Sequence, residues 1–131
     1  MDKMNYAPIK GKFRPLNFSI NVMFDAADKF GSMKNAYDII DKESKEGVEA
    51  IRWFLAQMAR DAELVRRQEG FDHDDMITED DVVIDNPGIY RVYKIAVIKA
   101  IDIGYTCEIE NEQEVDLGLQ ELHEKKEKAG A

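Results

Sequence analysis

The residues able to do chemistry in this chain gather in one acidic stretch. His73 lies in Asp72-His73-Asp74-Asp75, and a histidine flanked by carboxylates can bind a divalent metal weakly. Adjacent residues of one loop rarely converge on a single ion, and the other histidine, His123, is far along the chain. The segment therefore reads as a solvated acidic loop. Just beyond it, Thr78-Glu79-Asp80-Asp81 sets three carboxylates behind a hydroxyl, the pattern of a helix start. The D-x-D-x-D-G spacing of a calcium loop is absent. Cys107 is the only cysteine. It has no histidine beside it and follows a helix end, so nothing in the sequence lowers its pKa. A lone cysteine forms no internal disulfide and fits a reducing cytoplasm. The glycines are scattered and build no phosphate-binding loop. The basic head, with Lys3, Lys10, Lys12, Arg14, Phe13 and Phe18, has the look of an aromatic-basic nucleic-acid patch. A net charge of −9 and a pI near 4.7 oppose that use and an anionic membrane surface alike. The expectation is a protein with no catalytic, cofactor-binding or metal residues: not an enzyme, but a binding or assembly protein.

The 131 residues suffice for one domain, and 44% apolar residues for its core. No run of 18 apolar residues predicts a transmembrane helix, and the N-terminus lacks a signal segment. The organising element is a long helix over 46–69. Ile51, Phe54, Leu55, Met58, Ala62 and Val65 recur at helical spacing and should face the core. Trp53, the only tryptophan, and Leu64 lie at the edge of that stripe. Ser44 is placed to cap its start, and Arg66, Arg67 and Gly70 mark its end. Ahead of it, residues 1–11 read as a flexible arm. Residues 12–19 read as a short extended segment that Pro15 keeps out of a central strand. Residues 20–30 form an amphipathic helix stopped by Gly31, and 35–42 a weaker helix. Behind it come a short helix over 79–84 and a break at Asn86-Pro87-Gly88. A nearly all-apolar helix follows over 88–103, carrying Tyr90 and Tyr93 at i, i+3, and Gly104 ends it. The β-branched residues of 88–103 also allow a strand, but the run is too long for one. The last residues, 106–131, are acidic with sparse apolar positions, and disorder or a partner-dependent helix is expected there. The fold expected is all-α: one domain over 12–105, of about five helices around the long central helix and the buried last one.

The order of these parts resembles the tail assembly chaperones of long-tailed (siphovirus- and myovirus-type) bacteriophages and prophages. Phe18-Ser19-Ile20-Asn21-Val22-Met23 and Phe30-Gly31 carry the first part of that pattern. Ile51, Trp53, Phe54 and Leu55 carry the second, and Ile77-Thr78-Glu79-Asp80-Asp81 the third. The resemblance covers roughly residues 12 to 105, with a departure at Lys29-Phe30-Gly31-Ser32, where an acidic residue followed by Gly is common in the family. It implies a non-enzymatic protein of the host cytoplasm, absent from the mature virion. Such a protein binds the tape-measure protein, shields its apolar surface and helps recruit tail-tube protein during polymerisation. The family often also makes a longer, frameshifted product. Glu124-Lys125-Lys126-Glu127-Lys128 is compatible with slippery codons and equally with a solubilising tail. Apolar groups at the edge of the core are the candidate partner surface: Trp53, Leu64, Tyr90 and Tyr93. Self-association through the same faces is a further possibility. A generic helical adaptor, and after it a nucleic-acid-associated helical protein, are the alternative readings.

Overall fold

The computed structural model describes residues 5–106. In chain order the elements are β1 (Asn5–Ile9), β2 (Lys12–Leu16), α1 (Ile20–Phe30), α2 (Met33–Asp41), α3 (Lys45–Gln68) and α4 (Pro87–Thr106), with one 3-10 turn at Glu79–Asp81. The expectations for Cys107, His123 and the rest of 107–131 lie outside the described residues, as do residues 1–4.

The described residues are mostly helical but not all-α, with four α-helices among them where about five were expected. The correction falls at the front. Residues 5–9, expected as part of an arm, pair antiparallel with 12–16 to form a hairpin. The turn is Lys10-Gly11, with φ of 55° and 82°. Two left-handed residues make the type I′ turn whose twist suits a two-residue hairpin. Ile9 and Lys12 close the turn, so Pro8↔Phe13 and Tyr6↔Pro15 fall at non-hydrogen-bonded pairs. Each proline thus has its missing N–H where the partner strand asks for none. Alternation then buries Ala7, Ile9, Arg14 and Leu16 and turns Tyr6 and Phe13 outward.

α3 is the hub, packing against β2, α1, α2, α4 and the 3-10 turn. Ile51, Phe54, Leu55 and Met58 are fully buried along it, as their spacing requires. Its ends are closed locally. The Ser44 hydroxyl accepts from the Gly47 amide at 3.1 Å. At the other end the Phe71 amide donates to the Arg66 carbonyl and the Gly70 amide to that of Arg67, the paired bonds of a Schellman motif. Ser19 and Ser32 cap α1 and α2 in the same way.

α4 begins earlier and ends later than 88–103. Asn86 is its cap rather than a break, its side-chain oxygen accepting from the Ile89 amide at 3.0 Å. Pro87 occupies the first helical position, where no N–H is needed. Gly104 does not end the helix. A Cβ there would lie 2.7 Å from the Phe18 ring and from the Phe18 carbonyl oxygen, so this glycine lets the β2–α1 connection press against α4. The segment expected as a helix over 79–84 is a single 3-10 turn, closed by a Thr78–Asp81 capping box.

Candidate interaction site

Three of the four residues expected to meet a partner are inside. Trp53 is 8% exposed, its ring edge-on to Phe30 at 5.5 Å and to Phe54 at 5.0 Å. The edge on which it was placed is covered by α1, which brings Phe30 over it. Tyr90 is buried and donates its hydroxyl to the Ile40 carbonyl at 2.8 Å. It fixes the end of α2 against α4, over Gly47, where a Cβ would collide with the phenol oxygen. Tyr93 is buried too and donates to the Pro8 carbonyl, tying β1 to α4. Burial pushes both phenols above their ordinary range. A buried tyrosine satisfied in this way is a core pin. Only Leu64, at 44% exposed, remains open to solvent.

The exposed apolar surface lies elsewhere and in rows. On α1, Ile20 and Phe24 are 63% and 57% exposed, and four residues apart they stack on one face. On α4, Val92 and Ile95 are exposed. On the outer face of the hairpin, Tyr6 and Phe13 are exposed, each directly across from a proline. The apolar periodicity of 20–30 was legible in the sequence, but not that the stripe is wider than the core behind it. Val22 and Ala26 take the buried side, leaving Ile20 and Phe24 out. A groove of about 360 Å³, lined by Val48, Ile84, Pro87 and Tyr90 with Glu43 and Lys45 among the polar groups, opens between the α2–α3 junction and the start of α4.

The described part of the basic head, Lys10, Lys12 and Arg14, is spoken for. Lys12 meets Asp74 at 2.6 Å, Arg14 meets Asp74 at 3.2 Å, and Lys10 lies 3.8 Å from both Asp75 and Asp81. Arg14 is buried and also donates to the Ile9 and Lys10 carbonyls, so one guanidinium closes the turn and grips the acidic loop. On the other side of that loop, buried Glu63 accepts from Arg66 at 2.6 Å, Arg67 at 2.8 Å and the Asp74 amide at 2.7 Å. Burial alone pushes the Glu63 carboxyl up, but these three donors outweigh it and the net shift is downward. The Lys12 ammonium, then the Asp75 amide, hold Asp74 down at about 2. Asp74 and Asp75 of the solvated loop, with Glu63 behind them, are therefore the clamp joining hairpin and loop to α3. His73 stays exposed in the loop. Among the described residues no group of three or more His, Cys, Asp or Glu side chains is placed to hold a metal ion. No described helix is long and apolar enough to cross a membrane.

No protein-family model matches this chain, and neither a curated protein nor a solved structure is similar to it at a significant level.

Proposed function

We propose that this chain is a non-enzymatic tail assembly chaperone of a long-tailed phage or prophage. It acts in the host cytoplasm, binding the tape-measure protein and aiding polymerisation of the tail tube. The sequence resemblance over residues 12–105 supports the family. The observation that carries the binding role is the set of large apolar side chains left in rows on α1, α4 and the hairpin of an acidic chain. An isolated domain gains nothing from such rows, whereas a client helix gains an apolar face to lie on. Trp53, Tyr90 and Tyr93 hold the shape of that surface, and Leu64 stays a possible contact.

The pairing of Lys10, Lys12 and Arg14 with Asp74, Asp75 and Asp81 weighs against a nucleic-acid role, because phosphates would have to displace carboxylates already in place. The test is co-expression with a fragment of the tape-measure protein encoded by the same phage genome. The fragment should become soluble and co-purify with this chain. If it stays insoluble and no complex is recovered, the chaperone reading fails. The same genome should place a tail-tube gene just upstream and a very long tape-measure gene just downstream.

A further inference from the structure

We infer that the outer face of α1 is a docking surface for an amphipathic helix whose apolar stripe is flanked by lysine or arginine. The inference deepens the chaperone reading, which would make that helix a client's, and its test is chosen to stand apart from that reading. The face is built from one row: Ile20, Phe24 and Asp28 follow at i, i+4 and i+8, with Asp25 beside them. Ile20 and Phe24 are the exposed apolar pair, and both aspartates are exposed. Neither aspartate has an ion-pair partner among the described residues.

Charge selects the occupant. No lysine or arginine occurs from Pro15 to Asp28, and none in the last turn of α4, Asp102–Thr106. That last turn adjoins the start of α1, where the Tyr105 ring lies 5.5 Å from the Phe18 ring. The surface is thus apolar and acidic as far as Asp28; the first basic residue, Lys29, stands in the last turn of α1, four residues beyond Asp25. The other apolar helix face, Val92 and Ile95 on α4, mixes signs: Lys99 and Asp102 follow it, and Arg91 is met by Glu43 at 3.9 Å. A helix laying apolar anchors on Ile20 and Phe24 meets Asp25 and Asp28 along its flank, and only basic residues there bring attraction without unpaired charge.

The probe is a fluorescein-labelled peptide of about 20 residues with leucine at two positions per heptad and lysine on the flanks. Its twin carries glutamate for lysine. Binding to the full chain is read by anisotropy. The lysine peptide should bind at least about ten-fold more tightly than its twin, and Phe24→Ser should weaken it by about as much. The double variant Asp25→Lys/Asp28→Lys should reverse the preference between the two peptides. Because these side chains are exposed, thermal melts of the variants should match the wild type. Equal binding of the lysine peptide to wild type and to the Lys double variant overturns the inference, since general attraction to an acidic chain would then suffice.

Two other occupants have their own signatures, and either overturns it. A wild-type oligomer in light scattering that Phe24→Ser converts to monomer makes the face a contact between copies. A rise in peptide affinity of about ten-fold on replacing Val115 and Leu119 by serine makes the resident the chain's own C-terminal segment. If the α1 variants lose the peptide but still solubilise a tape-measure fragment, the chaperone reading stands and the client uses another face. If wild type binds the peptide but solubilises no fragment, the face stands and the chaperone reading fails.

Discussion

Glu63 and Arg14 carry charge into an apolar interior, and each is held there by hydrogen bonds. Removing one partner of such an arrangement leaves the others buried and unpaired. Glu63→Ala should therefore cost about 3 kcal/mol in a denaturant titration, toward the low end for a buried pair because Arg66 and Arg67 reach partial solvent. The clamp also sets the acid response. The Asp74 carboxyl titrates near 2 in the folded chain against an ordinary 3.8, and that of Glu63 is lowered as well. A carboxylate with a depressed folded pKa lends stability that is complete above its unfolded pKa and is lost as pH falls toward the folded one. Melting temperature should hold down to about pH 5 and fall from there to about pH 2. In Asp74→Asn that acid limb should flatten, because one of the three depressed carboxylates, Asp74, Glu63 and Asp81, no longer titrates. At Trp53 the sequence placed a large apolar ring beside the stripe and read it as an edge. Which helix would cover the ring depends on how α1 folds back, and no local pattern encodes that. Trp53→Ala should cost about 3–5 kcal/mol, whereas Leu64→Ala should stay within about 1 kcal/mol. A Trp53 variant of wild-type stability would return this residue to the surface.

At the scale of elements, caps and hydrophobic spacing were legible, and departures from them trace to contacts distant in sequence. Ser19, Ser44 and Gly31 do the jobs their types suggest. Gly104 was read as a stop by the same rule, yet α4 runs through it because Phe18 needs the space. The two meanings of a helical glycine separate experimentally. Gly104→Ala would gain about 1 kcal/mol of helix propensity if the site were open. Here the added methyl meets backbone as well as ring, and the expected result is a net loss of about 1–3 kcal/mol by chemical denaturation. The hairpin was missed for another reason. Two prolines and a Lys-Gly turn lack the usual Asn-Gly signal. What could have revealed it is the alternation of Ala7 and Ile9 with Arg14 and Leu16 around Lys10-Gly11. Recognising Arg14 as an inward position required knowing that Asp74 waits for it, 60 residues on. The acidic loop is a largely exposed loop as read, but the ion pairs of Asp74 and Asp75 with Lys10, Lys12 and Arg14 could not be seen until the hairpin brought those bases to it.

For the whole molecule, the clamp and the aromatic cluster around Trp53 keep a small core closed while rows of apolar side chains remain outside it. The strong acidity of the chain then has a use. On the proposed reading it would keep an apolar surface soluble before a client arrives and discourage polyanionic partners. The described fold accounts for how such a surface is held, through α3 as hub and α1 as the most exposed flank. The aggregation of a tape-measure fragment, diluted from denaturant and followed by light scattering, reads the proposed chaperone activity itself. A stoichiometric amount of this chain should hold the scattering near baseline and yield a soluble complex on gel filtration. Unchanged aggregation at several-fold excess of folded chain, with no complex recovered, would contradict the account.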